Sequence, residues 1–168
     1  MTSVLRVVAI GSVGLVAWGT AASRVADHSR LAPSAVVVGA VMTQPFGCTA
    51  LVLEPFDPLC PTRHVHTGID LAAPTGTAVQ AATAGVALVG YDPNGAGLYV
   101  TVSVDSHVRI LYCHLSSASV TAGQVVLTGQ LIGHVGATGL TTGPHLHLEI
   151  QVDGRSVDPA IWLASEPS

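Results

Sequence analysis

The chain predicts a mainly β domain, closed or sandwiched, and three observations lead there. Its 168 residues include 18 glycines and 10 prolines but are only 10% charged, a composition that suits turns and short strands better than a helical bundle. Short runs with a two-residue hydrophobic period recur between turn signals at regular spacing. No heptad repeat and no long amphipathic helical run interrupts them.

Length suits one domain plus an extra segment. Net charge is -4 and the sequence contains no lysine. Nothing here supplies a phosphate-neutralising surface, so nucleic acid is excluded as a partner. Hydrophobic content is 49%, but part of that excess sits at the N-terminus, so the chain as a whole is no membrane protein. Eight histidines against six Lys and Arg point toward metal or acid–base chemistry.

From the N-terminus, Val7 to Ala22 carry no charge. Arg6 and the α-amino group precede them, and Ser23-Arg24 and Asp27 follow. This run is short for a spanning helix, which wants about 20 residues. A positive start, an apolar centre and the small residues Gly19 to Ala22 fit a cleaved secretory signal over 1–22. An uncleaved signal anchor that also takes in Thr2 to Leu5, or a buried cytosolic helix, stays open. Residues 23–34 read as a linker, 35–163 as the folded domain and 164–168 as a tail.

Cys48 and Cys60 bracket Glu54-Pro55-Phe56-Asp57-Pro58. In an exported protein, a pair this close most simply forms a disulfide that pins a loop. Cys113 is then left over, and core packing is its expected role. Further on, His66 and Asp70 stand four apart, but Gly68 and Pro74-Thr75-Gly76 argue for a loop entering a strand rather than a helix. Either the two are metal ligands, or His66 is a surface residue and Asp70 a turn former.

Val79 to Ala82 and Gly85 to Val89 are strand-like, with a loop over Gly90 to Gly97. Val100, Val102 and Val104 alternate with polar residues. Asp105-Ser106-His107 reads as a tight turn, after which Val108, Ile110, Tyr112 and His114 form one face of a returning strand. His114 ends an otherwise inward-looking row, where a histidine needs a partner. Glycines punctuate the chain to Gly143-Pro144, which opens the strand His145-Leu146-His147-Leu148-Glu149-Ile150. There His145, His147 and Glu149 share one side. Asp158 to Leu163 reads as a terminal helical turn. His64 is expected to face solvent, and His28, His107 and His134 have no spacing partner.

Five residues are therefore candidates for one site: His66, Asp70, His114, His145 and His147. A catalytic zinc takes three protein ligands and leaves a position open, whereas a structural one closes its tetrahedron, usually with cysteines. The two surplus histidines suit proton transfer and oxyanion stabilisation. The spacing leaves open which histidines are ligands.

The strings HTGIDLAAPTGTAV, LYCHLS, VTAGQVVLTGQLIGHVGATG and TGPHLHLEI resemble, in order, the lysostaphin-type (LytM-like) zinc endopeptidases of bacterial cell walls. The likeness covers most of Pro61 to Pro159. It implies one Zn2+ held by His66, Asp70 and His147, with His114 and His145 as the catalytic pair that serve as general base and oxyanion stabiliser. It implies a largely antiparallel β core with a groove for an extended peptide, and hydrolysis of peptide bonds in peptidoglycan stems or cross-bridges. The protein is then expected outside the cytoplasm, secreted or held at the envelope, with membrane contact only through its N-terminal segment. Glu149, on the face of His147, is either an acceptor that orients a ligand imidazole or a solvated edge carboxylate. The sequence departs from the family pattern at Gly97-Leu98, often Gly-Asn, and in the short turn Asp105-Ser106-His107. Both lie near the expected groove, where substrate preference is set.

Two alternatives remain. A catalytically silent relative would bind wall peptide or regulate another hydrolase, but such domains tend to lose ligands, and all five positions are filled here. A carrier domain of the hybrid-barrel type fits the glycine-rich run from Val120 to Gly136. Lack of lysine excludes biotin or lipoate attachment, and a phosphocarrier has no need of Asp70.

Overall fold

The computed structural model describes residues 29–165. The expected signal or anchor over 1–22, the start of the linker, His28 and the last residues of the tail lie outside the described residues. No helix among the described residues is long and apolar enough to cross a membrane.

The domain is mainly β and every strand pairing is antiparallel. The elements are α1 (Pro33–Val36), β1 (Val41–Gln44), β2 (Gly47–Thr49), β3 (His64–His66), β4 (Ile69–Ala72), β5 (Ala78–Gln80), β6 (Gly85–Asp92), β7 (Gly97–Ser103), β8 (Val108–Ala118), β9 (Val125–Val126), β10 (Leu131–Val135), β11 (His145–Val152), β12 (Arg155–Val157) and α2 (Pro159–Ala164). The main sheet runs β1-β4-β11-β8-β7-β6-β9, with β10 joining β8 to β5 and β12 on the edge of β11. Strands β2 and β3 form a small sheet of their own.

Alternation sets the two faces. On β11, Leu146, Leu148 and Ile150 are fully buried, while His145, His147 and Glu149 are half-buried on the other side. Each of those apolar side chains contributes about 1.5–3 kcal/mol on burial, so a one-residue slip of β11 would expose all three. They pack with Ile69, Leu71, Val100, Val102, Ile110 and Tyr112 into one core. Tyr112 is fully buried, and its hydroxyl accepts the Ala82 N–H at 2.8 Å.

β8 breaks the alternation. Ile110 and Tyr112 face the core as expected, but His114 has φ 62°. A left-handed residue in a strand is a bulge. Up to Cys113, β8 pairs with β11, and from Leu115 it pairs with β10. His114 is the residue at which it changes partner. Its side chain leaves the core row, and Leu115 fills that row with no exposure. The sequence-based expectation that His114 continues the Ile110–Tyr112 face is corrected by this bulge.

Three further expectations are adjusted. The Gly90–Gly97 loop is shorter, because β6 continues to Asp92 and β7 starts at Gly97. The segment 23–34 is described from residue 29, and from there it is docked. Leu31 N–H bonds Ala82 O at 2.8 Å. Arg30 lies 3.7 Å over the Trp162 ring and donates to the Trp162 carbonyl at 2.8 Å. His64 is half-buried, with Nδ1 donating to the Glu54 carbonyl at 2.8 Å. The terminal helical turn is present, capped by Asp158, whose carboxylate accepts from Ala160 N–H at 2.8 Å. Cys48 and Cys60 are bonded, and Cys113 is a buried free thiol.

Candidate metal centre and groove

Strand register brings the candidate ligand side chains together. On β11, His147 lies directly opposite Asp70 of β4 on one side and Cys113 of β8 on the other. Residues paired in this way share a face, so the Asp70 carboxylate and the His147 ring meet across the sheet. His66 closes β3 just before the turn into β4. Gly68 in that turn allows the close approach. A Cβ there would overlap the Leu148 carbonyl oxygen and stand 2.9 Å from both Cε1 and Nε2 of His147.

Three candidate ligand atoms converge. His66 Nε2 lies 3.1 Å from Asp70 Oδ1 and 3.0 Å from His147 Nδ1, and the remaining side of the triangle is 3.0 Å. His66 Nδ1 sits 2.9 Å from the Pro45 carbonyl, which can only accept, so Nδ1 carries the proton and Nε2 points a lone pair into the triangle. Bonds of about 2.0–2.2 Å to one tetrahedral ion separate its ligands by roughly 3.3–3.5 Å, close to the spacing here. His66, Asp70 and His147 are the group among the described residues that can hold a metal ion.

The electrostatics favour positive charge at that point. Burial alone would raise the Asp70 carboxyl, but bonds to His147 and His66, with the charge of His145 and His66, hold it well below the usual range. Burial pulls His147 down, yet Asp70 and Glu149 outweigh it and push the ring up to about 9. Glu149 lies 3.8 Å from His147 Nε2. Its oxygens accept from Thr67, Gln151 and Ser156 at 3.1, 2.6 and 2.7 Å; burial would raise this carboxyl, but His147, with Gln151 and Ser156, outweighs that and lowers it to about 2.

His114 and His145 stand beside the triangle with ring centroids 4.9 Å apart. His145 Nε2 is 3.4 Å from Asp70 Oδ1. Each ring presents Nδ1 to a carbonyl: His114 to Thr138 O at 2.8 Å, His145 to Gly143 O at 2.9 Å. Both therefore hold their proton on Nδ1 and keep a lone pair on Nε2. Burial pulls His114 down to about 4, aided by the charges of His145 and His147 and only partly opposed by Thr138.

All five residues named from the sequence come together, and Glu149 joins them. Asp70, His114, His145, His147 and Glu149 border a groove of about 400 Å3, while His66 is fully buried and outside its lining. The disulfide-closed loop contributes Leu51, Leu53, Glu54 and Pro55 to its lining; the β6–β7 turn and Leu140 to Thr142 contribute another part. Leu140 N–H donates to Gly95 O at 2.8 Å and ties those two segments together. No lysine or arginine lines the groove. Glu54 was not legible in the sequence, since a lone acid in a loop carries no spacing signal. His64, His107 and His134 lie outside the groove lining.

Fold and site together are those of a metallopeptidase domain. The sequence model of peptidase family M23 matches residues 64–159, and the chain belongs to that family. The chain is 44% identical over 102 residues to the DD-carboxypeptidase/endopeptidase Mpg of Neisseria meningitidis serogroup B, covering 61% of this chain and 24% of that protein. It is 43% identical over 93 residues to the peptidoglycan DD-endopeptidase ShyA of Vibrio cholerae, covering 55% and 22%. The chain thus spans about a quarter of the length of these curated relatives. Among solved structures, a zinc-containing peptidase from Vibrio cholerae superposes with TM-score 0.63 at 31% identity, covering 80% of this chain and 39% of that one. The catalytic domain of lysostaphin from Staphylococcus simulans gives 0.62 at 30%, covering 75% and 93%.

Proposed function

We propose that this domain is a zinc-dependent endopeptidase that hydrolyses peptide bonds in peptidoglycan and works outside the cytoplasm. One observation carries the reading: three candidate ligand atoms form a triangle of 3.0–3.1 Å sides, with the imidazoles of His114 and His145 beside it.

When bound by His66, Asp70 and His147, zinc supplies Lewis acidity, which polarises a carbonyl and makes water acidic near neutral pH. The other residues handle protons and position. His114, neutral down to about pH 4, accepts a proton at Nε2, and His145 offers the same atom on the same side. One takes the proton from the attacking water and passes it to the leaving amine; the protonated ring steadies the oxyanion. Thr138 and Gly143 carbonyls fix both rings in the required tautomer. Glu149 keeps the His147 ring oriented. Leu51, Leu53 and Pro55 give an extended peptide an apolar surface beside the site. The names of the relatives support a peptidoglycan substrate, and the Cys48–Cys60 bond supports an oxidising compartment.

Incubating zinc-loaded protein with defined muropeptides, with and without chelator, and reading products by mass spectrometry tests the proposal. Cleavage that chelator abolishes is expected. His114→Ala and His145→Ala should each lower kcat/KM by about 10²–10⁴ while zinc content and fold stay intact. Full activity in both single variants would overturn the mechanism.

A further inference from the structure

Thr138 lies on the connection between β10 and β11, outside any strand, yet its side chain bonds to two strands of the main sheet. We propose that Thr138 is a positioning residue: its hydroxyl, set into the β7–β8 ladder, holds its own carbonyl against His114 Nδ1 and so fixes the direction in which the His114 ring offers Nε2. This rests on the role given to His114 under the proposed function.

The hydroxyl stands in for a ladder bond. Leu98 of β7 and Leu115 of β8 are register partners, and the register slips between Leu98 and Val100. At the slip, Leu98 N–H donates to Thr138 Oγ1 at 2.9 Å, and Thr138 Oγ1 donates to the Leu115 carbonyl at 2.8 Å. A backbone N–H only donates and a carbonyl only accepts, so the inserted group must do both, as a hydroxyl can. A methyl in its place would take this partner from each backbone group, at a desolvation cost.

His114 is the residue next to that relay. It precedes Leu115, has the left-handed backbone of the bulge, and donates its N–H to Ala96 O at 2.8 Å. Its ring reaches Thr138 O at 2.8 Å. Thr138 therefore meets the bulge twice, at Leu115 through its hydroxyl and at His114 through its carbonyl. Which nitrogen of an imidazole carries the proton is set by the bond that the other ring atom makes, so a shift of this carbonyl releases both the tautomer and the ring angle.

Packing leaves Thr138 one seat. Gly97 has φ 63°, and a Cβ there would overlap the Thr138 carbonyl and Oγ1; a Cβ on Gly139 would overlap Gly97 N and Gly95 O. These two glycines let the connection lie directly on the start of β7.

The test compares wild type with Thr138→Val, which keeps the shape but removes the relay, and Thr138→Ser, which keeps the relay. Nitrogen NMR of the metal-free protein reads the tautomer of the neutral His114 ring, and muropeptide cleavage by zinc-loaded protein gives kcat and KM separately. Wild type and Thr138→Ser should hold the proton on Nδ1. Thr138→Val should show mixed tautomers and a kcat lower by about 10- to 100-fold, with KM and Zn2+ content unchanged. Thr138→Ala is read in the same way should the valine variant not fold. A variant without the hydroxyl that keeps the wild-type tautomer and kcat, even with a lower Tm, would overturn the proposal, as would a loss in Thr138→Ser equal to that in Thr138→Val. No cleavage by zinc-loaded wild type would overturn the proposed function and this role with it.

Discussion

Gly68→Ala isolates the packing around the candidate metal centre. Gly68 is not in the left-handed region, so alanine meets no backbone strain and the effect is one of space alone. The added methyl would overlap the Leu148 carbonyl oxygen and come within 2.9 Å of two atoms of the His147 ring. Ordinary contact is about 3.5–4.0 Å, so ring and strand must retreat by roughly 0.5–1 Å. Neither moves freely: Leu148 is paired with Ile69 and Tyr112, and the ring is held by Asp70. Overpacking of this kind costs about 1–3 kcal/mol, a fall in Tm on the order of 5–10 °C for a domain of this size. A displacement near 1 Å at the reacting centre costs about 10²-fold in rate. Calorimetry, Zn2+ titration and muropeptide cleavage on one preparation give all three readings. A Gly68→Ala protein with the Tm, Zn2+ affinity and activity of wild type would refute the claim that this glycine exists to admit the His147 ring.

Other predictions follow from single contacts. Tyr112→Phe leaves the buried Ala82 N–H without the hydroxyl that now accepts it and should destabilise by about 1–3 kcal/mol, seen as a lower urea midpoint with unchanged slope; an unchanged midpoint would mean that this N–H finds another acceptor. Cys113, 3% exposed and pushed up to about 12 by burial and by the charges of Glu149 and Asp70, should resist a thiol reagent at pH 8 until the protein is denatured; rapid labelling of the native state would contradict that. His107 is raised by its 2.6 Å hydrogen bond to Asp153 and by that carboxylate's charge. Since the folded value lies above the unfolded one, the link stabilises below about pH 6.5 and fades as pH rises through the folded value. Asp153→Asn should lower the NMR titration midpoint of His107, and an unmoved midpoint would rule the link out.

The sequence was most informative where a two-residue period or an ordered motif fixed the outcome. The alternation of Val100 and Val102, and of Ile110 and Tyr112, correctly gave the core faces of β7 and β8. The spacing of His66 and Asp70 and the His145-Leu146-His147 run marked them only as candidates; the ordered motifs of the family resemblance grouped them, and these side chains lie together in the structure. What it could not give was pairing at a distance. That β11 inserts between β4 and β8, setting His147 opposite Asp70, is decided by the whole sheet. His114 was misplaced for a local reason: alternation assumes regular backbone, and a left-handed residue reverses it while leaving no mark in residue type. Glu54 had no signal because its nearness to His66 depends on a covalent ring and on the β2–β3 pairing.

That ring has a consequence for how such enzymes diversify. The residues between Cys48 and Cys60 are closed by one covalent bond and attach to residues 63–66 through the β2–β3 ladder, the Phe56–His64 bridge and backbone bonds of Glu54, Pro55 and Asp57. Glu54 apart, their identity can be rewritten without shifting the β4–β11 register that sets His147 opposite Asp70. The insert is thus a cassette: its lining residues Leu51, Leu53 and Pro55 can vary while that register is kept.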